Sequence, residues 1–547
     1  MNGYNEDSSA RKPKIIIPYD CQREGATALM ASDGHPLAVY ATGTGKSVVI
    51  AEVCRRLDTS TLTLVPTREL CEQNEKAMLA VWPESGVGIL CAGLKRREYG
   101  ARNLIATIHS VYSLHKQSKL DLIGARALMI VDEAHLVPAG EVGMYRAIIK
   151  ALAPDKVMGL TATPWRLEDG RLDEGDDRLF DRIVYEFGLK DGITWRGPND
   201  ERLLLPLVAK KTAAEIDTRG VKVRHGDFVE KELEQRANTA VLVNAAVDEI
   251  LRYADGRKRW LAFCCGIDHS EHVAEVLKTR GITAAAITYL TSSETRKETI
   301  AAYRRGEITC LCGCNIFTTG FNVPEVDMIA FLRPTKSPGL YVQMAGRGTR
   351  YADGKTDCLV LDFARNVQRL GPVDDPTIPE AKEGGEDKER SKSAPTEMKA
   401  CPECNTYTLA SDSYCSQCGH VFERESSPAK HGTIASDMPI MSADLTWLDV
   451  VGASARTHYK DGSPPSLRIL YRTAGGEFVP QWLPFQHPRA RYFAQRTWRD
   501  LGGHQPEPQT AGEALGRMKE LQRPSHIGVK RSGQYWRVEK LRRANAG

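Results

Sequence analysis

The chain of 547 residues predicts an α/β protein of several domains built on parallel sheets, followed by a small four-cysteine module and a β-rich basic region. Three observations carry this. Short β-branched, apolar runs alternate with helical spacing up to about residue 370, as strands do in a parallel sheet. Each run ends on glycine, hydroxyl or charged residues, at the strand end where such sheets bind ligands. Beyond residue 371 the periodicity stops, and paired cysteines and then interleaved arginines and aromatics follow.

Composition is that of an ordinary globular protein, 41% hydrophobic and 26% charged. No apolar run is long enough to span a bilayer, and the polar N-terminus carries no signal peptide pattern, so no membrane role is expected. Fourteen cysteines in such a chain point to a reducing cytoplasm, with most thiols free or metal-bound. Net charge is +4, unevenly spread. Residues 441–547 hold 17 Lys and Arg against 9 Asp and Glu, so +8, and the remainder sums to −4. A basic end of this kind suits a polyanion or an ordinary basic surface.

The elements follow in order. Residues 1–13 are polar and predict disorder. Gln22 lies just before the first strand, and its amide both donates and accepts, as reading an adenine edge requires. Nearby Tyr19 can stack on a base. The strand at Pro36–Val39 runs into Tyr40-Ala41-Thr42-Gly43-Thr44-Gly45-Lys46-Ser47 and a helix. In such a loop backbone N–H groups cradle phosphates, Lys46 reaches the β- and γ-phosphates, and Ser47 ligates Mg2+. Thr42, Gly43, Thr44 and Gly45 complete the cradle, although Tyr40 stands where the full pattern has glycine. Thr61–Val65 and Leu104–Ile108 read as further strands, ending near Arg68 and near His109-Ser110. Ala127–Val131 is a continuous apolar run ending in Asp132-Glu133-Ala134-His135. Two carboxylates after a buried strand are costly unless they bind something. Asp132 is placed to hold Mg2+ and Glu133 to orient and deprotonate water. Gly159–Pro164 closes another strand and offers the Thr161 and Thr163 hydroxyls.

This ordered set resembles the motifs of superfamily 2 helicases, with Asp132–His135 as a DEAH form of motif II. The resemblance implies two RecA-like domains, here 14–190 and 191–370. The second half supplies strands at Trp260–Phe263 and Ile308–Cys314, a segment 317–324 similar to motif V, and Gln343–Arg350, which matches QxxGRxxR. The resemblance implies that Arg347 and Arg350 reach the γ-phosphate across a cleft and that Gln343 meets the nucleotide. It further implies that His135, Thr161 and Thr163 couple hydrolysis to closure, and that Arg68, Thr107, Ser110 and Thr319 grip a nucleic-acid backbone without reading sequence. Cys310, Cys312 and Cys314 alternate along one strand and so point to one face; they and the adjacent Cys264-Cys265 pair are expected to be small buried hydrophobes rather than metal ligands.

Residues 371–399 are rich in Pro, Glu, Lys and Ser and read as a linker. Cys401-Pro-Glu-Cys404 and Cys415-Ser-Gln-Cys418 then form two CxxC knuckles, a structural Zn2+ pattern with no open coordination position, within a module at 400–424. The region 440–547 alternates β-like runs with a helical stretch near 486–500. Its aromatics and arginines suit single-stranded nucleic acid or, equally simply, a small β-rich core.

Taken in order, segments such as Ala92–Glu98, Thr318–Phe321, Gly354–Leu359 and Gly533–Val538 resemble the bacterial RadD proteins, apart from the DEAH form and the short cysteine region. That resemblance implies an ATP-dependent DNA helicase or translocase of repair or recombination, bacterial or phage-encoded and cytoplasmic. It implies single-stranded or branched DNA as substrate, and single-strand binding protein and RecA as partners. An RNA helicase, a duplex translocase without strand separation and a non-enzymatic scaffold are the alternatives.

Overall fold

The structure is a computed structural model. It describes residues 15–377, 398–422 and 446–542, except 139, 141, 167–169, 176–177, 225, 318–319, 410–414, 416, 461–462, 488–489 and 533–534. The expected disordered N-terminus and most of the expected linker lie outside the described residues. The chain divides into two compact units, 1–442 and 443–547.

The first unit holds two parallel sheets, the two RecA-like lobes. In the first lobe the strands are β1 (Pro36–Tyr40), β2 (Thr61–Val65), β3 (Val87–Cys91), β4 (Arg96–Arg97), β5 (Asn103–Thr107), β6 (Leu128–Asp132) and β7 (Lys156–Thr161). A small hairpin, β8 (Trp165–Arg166) with β9 (Gly170–Arg171), precedes β10 (Arg182–Phe187). The sheet order is β10-β1-β7-β6-β2-β5-β3-β4, parallel except for β4. The second lobe contains β11 (Leu207–Lys211), the short hairpin β12 (Val223–Arg224) and β13 (Asp227–Phe228), β14 (Trp260–Phe263), β15 (Ala284–Ile287), β16 (Cys310–Gly313), β17 (Met328–Phe331) and β18 (Cys358–Asp362). Its sheet runs β11-β18-β17-β14-β16-β15, all parallel.

Both sheets are covered on two faces, which is why central strands such as β14 (WLAF), β17 (MIAF) and β6 up to Val131 are continuous apolar runs. In β6, Leu128 and Ile130 join the core that contains Val49 and Val53 of the helix Lys46–Leu57. Met129 and Val131 point the other way, into a core with Val111 and Ile148. Cys264, Cys265, Cys310 and Cys312 are buried on one face of the second sheet as small hydrophobes, as expected. Cys314 falls past the strand end and differs: it is half-buried, and the Arg333 guanidinium donates to its sulfur at 3.2 Å. Tyr40 belongs to the core rather than to the loop. It is the last residue of β1, fully buried, and its hydroxyl donates to the Cys21 carbonyl at 2.8 Å.

The cysteine module belongs to the first unit. Its hairpin, β19 (Met398–Ala400) with β20 (Tyr407–Leu409), lies against β11, the edge strand of the second sheet. The Lys210 ammonium donates to the Cys404 carbonyl at 2.7 Å, and Tyr407 enters the second-lobe core.

The second unit is an antiparallel sheet of β21 (Thr446–Lys460), β22 (Ser463–Thr473), β23 (Phe478–Leu483), β24 (His526–Ser532) and β25 (Tyr535–Arg542), in the order β23-β22-β21-β24-β25. Helices Arg491–Asp500 and Ala511–Gly516 cover one face, where Trp498 is buried among Leu467, Ile469 and Val479.

Candidate active site and cysteine module

The cleft between the two lobes has a volume of about 350 Å3. The first lobe lines it with Thr42, Gly43, Gly45, Lys46, Ser47, Asp132 and Glu133, and the second with Gln343, Arg347 and Arg350. The glycine loop needs its glycines here. Gly43 and Gly45 have φ of +92° and +91°, and a Cβ on Gly45 would stand 2.4 Å from the Gln22 amide nitrogen. The loop then opens the helix Lys46–Leu57, so its free N–H groups and dipole face the cleft.

Gln22 differs from its expected role. It is buried beneath the loop, where its side-chain nitrogen donates to the Thr44 carbonyl at 3.0 Å and its oxygen accepts from the Tyr19 N–H at 2.9 Å. The amide braces the phosphate loop rather than facing the cleft, and the Tyr19 ring lies 4.6 Å from that of Trp195.

Lys46 lies 3.7 Å from a Glu133 carboxylate oxygen, both nearly buried. Burial alone would push the Glu133 carboxyl up, but Lys46, His135 and Arg347 outweigh it and hold it below the usual carboxylate range. Asp132 goes the other way. Burial and the adjacent Glu133 charge raise it to about 6, against partial relief from Lys46 and a 3.2 Å hydrogen bond from the Asn74 amide. One carboxylate is therefore kept ionised, as a base requires, and the other is a costly charge that a divalent cation would relieve. Ser47 points to the same place, its hydroxyl accepting from the Gln73 amide at 3.3 Å. The residues present thus fit Mg2+ between Ser47 and Asp132.

Asp132–Glu133 leads into His135, which joins the lobes. Its Nε2 lies 3.2 Å from the Gln343 amide nitrogen, and its Nδ1 lies 3.0 Å from the Thr161 hydroxyl and 3.5 Å from Glu133. An amide nitrogen can only donate, so Nε2 accepts and Nδ1 carries the proton. Burial lowers the His135 pKa and keeps this neutral form. The Thr161 hydroxyl also accepts from the Thr163 N–H at 3.1 Å, while the buried Thr163 hydroxyl has no hydrogen-bond partner among the described residues.

Arg347 and Arg350 come from the turn after the helix Pro338–Ala345, which Ser337 caps and Pro338 begins. Both guanidinium groups donate to the Phe321 carbonyl, at 2.6 and 2.9 Å, and Arg350 also reaches the Asn322 side chain. Burial pushes the Arg347 pKa far down, Arg350 adds to this, and Glu133 opposes it. Burial likewise lowers Arg350, to about 10. A guanidinium does not release its proton in a protein, so the cost of these buried charges becomes affinity for an anion. Gly346 allows the approach of the lobes, since a Cβ there would come within 2.9 Å of Thr42.

The expected nucleic-acid residues are less open. Thr107 and Ser110 are buried and share a 2.7 Å hydrogen bond, and the Ser110 hydroxyl accepts from the Ala92 N–H. Arg68 pairs with its neighbour Glu69 at 2.8 Å. Thr319 lies outside the described residues. Asn74, Gln73, Arg202, Asn322 and Tyr351 were not anticipated from sequence. The first two hold Asp132 and Ser47; the other three line the cleft.

The four sulfurs of Cys401, Cys404, Cys415 and Cys418 lie within 4.8 Å of one another. Cys401 to Cys418 is 3.5 Å and Cys404 to Cys415 is 3.7 Å. A tetrahedral ion bound at about 2.3 Å would set its sulfurs about 3.8 Å apart. Each knuckle closes alike. Asn405 (φ +55°) donates to the Cys401 carbonyl, and Gly419 (φ +75°) donates to that of Cys415. The donor set and spacing fit Zn2+.

Two families of known proteins match these lobes. The family described as type III restriction enzyme, res subunit, matches residues 15–166, and the helicase conserved C-terminal domain matches residues 243–352. The chain belongs to the superfamily 2 helicases. As a member it is an ATP-hydrolysing nucleic-acid enzyme with ATP and Mg2+ as substrate and cofactor. This helicase is 26% identical over 80% of its length to a 51.5 kDa protein of a Lactococcus phage, covering 92% of that protein. It is 28% identical over 62% of its length to the putative ATP-dependent helicase IRC3 of Saccharomyces cerevisiae, spanning about half (49%) of that relative. A fragment of a putative HsdR subunit of a type I restriction enzyme from Vibrio vulnificus is similar at 20% identity, with a TM-score of 0.48, over 68% of this chain and 69% of that one. No helix among the described residues of this helicase is long and apolar enough to cross a membrane.

Proposed function

We propose that this chain is a DNA-directed motor of the RadD-like kind, acting in repair or recombination on single-stranded or branched DNA. The observation that carries the motor reading is the split site: Lys46 and Glu133 on one lobe, Arg347 and Arg350 on the other, and one His135–Gln343 contact joining them. The type III restriction-enzyme match supports DNA over RNA.

In this reading ATP lies between the lobes with its phosphates on the 42–47 loop. Mg2+, held by Ser47 and Asp132, would supply charge neutralisation at the β- and γ-phosphates. Glu133, kept ionised, accepts a proton from the attacking water. Lys46 leaves its 3.7 Å contact with Glu133 for the γ-phosphate, and the buried arginines stabilise the charge that develops there. Zn2+ in the four-cysteine module is structural, which metal analysis of purified protein tests. Single-strand binding protein and RecA are the proposed partners, on family resemblance alone.

The test is ATP turnover against a panel of single-stranded DNA, forked DNA, duplex DNA and RNA. Forked or single-stranded DNA should stimulate most. Lys46→Ala and Glu133→Gln should each lose at least about a hundredfold in turnover. Stimulation by RNA alone would replace the DNA reading, and wild-type turnover in either variant would end the mechanism.

A further inference from the structure

We infer that the open face of the second unit's sheet is a binding platform for single-stranded nucleic acid. This rests on the proposed nucleic-acid motor but assigns a separate site, built from residues other than those of the ATP cleft.

Strand alternation sorts the residues. Leu467, Ile469 and Tyr471 of β22 face the helices, so Arg468 and Arg472 face away. Cross-strand register then builds two rows on the open face. One row is Arg456 of β21, Arg468 of β22 and Trp482 of β23; the other is Gly452, Arg472 and Phe478. Trp482 is 43% exposed and Phe478 61% exposed, which is unusual for aromatics on a strand that has a core on its other side. The Arg468 guanidinium lies over the Trp482 ring at 5.8 Å. The two aromatics are four residues apart on one strand, so about 13 Å separates them along the sheet.

The charge on this face is uncompensated. No carboxylate pairs with Arg456, Arg468 or Arg472 among the described residues, and the Arg468 Nε is buried with no hydrogen-bond partner. At the far end the face continues with Arg542 over the Trp447 ring at 3.9 Å. The acids there, Asp449 and Glu539, are already engaged by His526 and Arg537. Exposed rings beside unpaired guanidinium groups are the recognition chemistry of unstacked bases on a phosphate backbone. A duplex keeps its bases stacked and would use the cations alone. An acidic peptide would give the aromatic rings nothing to stack on.

The experiment measures binding of a fluorescent 30-nucleotide oligo(dT) and of a blunt duplex to the full chain carrying Glu133→Gln, without nucleotide. Expected is a loss of single-strand affinity of at least fivefold for Trp482→Ala, the worth of one stacked base. Arg456→Glu with Arg468→Glu should lose more than tenfold and flatten the dependence of log affinity on log salt by about two. Circular dichroism and thermal unfolding identify any variant that has not folded, and Phe478→Ala then provides the independent substitution. Unchanged affinity in the folded variants overturns the proposal, as does an equal loss for duplex and single strand on Trp482→Ala, because only unstacked bases can use that ring. A wild-type protein that binds the oligonucleotide through this face but never hydrolyses ATP would end the motor reading and leave the platform standing.

Discussion

Asp132 is the residue where function and stability conflict. Its carboxyl is buried, stands beside Glu133, and is raised to about 6. Because the folded value exceeds the ordinary carboxylate value near 4, the cost to the fold is absent below pH about 4. It grows through the interval to about 6 and is fully present above. Asp132→Asn keeps the shape and the hydrogen bond from Asn74, gives up the one accepted from the Glu133 N–H, and removes the buried charge. Without Mg2+ and nucleotide, the variant should be more stable at pH 8, by about 1–3 kcal/mol, while losing ATP turnover. The gain should shrink at pH 5. Thermal unfolding at the two pH values decides it, and equal destabilisation at both would show that the Asp132 charge is not a strain on the free protein. The same logic makes Glu133 the base: its neighbours, Lys46 foremost, hold it ionised in a site otherwise hostile to charge.

At the scale of elements, the contact that matters is the turn Asp132–His135 against the helix Pro338–Ala345. His135 Nε2 accepts from the Gln343 amide, and Nδ1 faces Thr161 and Glu133. One imidazole thus touches Glu133, the threonine turn and the second lobe. Gln343→Ala removes the cross-lobe donor without touching phosphate ligands. It should cut nucleic-acid stimulation by about tenfold relative to the variant's own basal turnover, a loss of about 1.4 kcal/mol of coupling. A variant with full stimulation would remove His135–Gln343 from the coupling path. Much of this arrangement was legible in sequence because it depends on local order. A continuous apolar run marks a strand covered on both faces, and its last residues mark the ligand edge. Asp132 and Glu133 at the end of β6, and Lys46 after the loop that follows β1, line the cleft for that reason, whereas Arg347 and Arg350 follow the helix Pro338–Ala345 and were legible only through their motif. Tertiary contacts were not legible. Gln22 turns under the glycine loop, Asn74 and Gln73 reach Asp132 and Ser47 from the helix Arg68–Val81, and Arg202 arrives from the segment joining the lobes. No spacing in the chain encodes these approaches. The burial of Thr107 and Ser110 is likewise a property of packing, since the hydroxyls satisfy each other.

At the scale of the molecule, each unit has its own core, and the first unit also includes the cysteine module. Tyr407 enters the second-lobe core, the Lys210 ammonium holds the Cys404 carbonyl, and Lys211 donates to the Asn405 carbonyl. The module therefore covers β11, an edge strand that would otherwise present unpaired backbone groups. Ligands of the first unit should act on one unfolding transition and leave another unmoved. A non-hydrolysable ATP analogue with Mg2+ at a hundred times its dissociation constant stabilises its unit by about 2.7 kcal/mol. Scanning calorimetry of the full chain should show that transition rising by a few degrees. Chelation of the metal, or Cys404→Ser, should lower the same transition, because the knuckles and the motor share a core. The transition of the 443–547 unit should respond to neither. If chelation moved only the nucleotide-insensitive transition, the module would be energetically part of the other unit. If neither transition moved, β11 would be stable uncovered and the metal would have no part in holding the motor together.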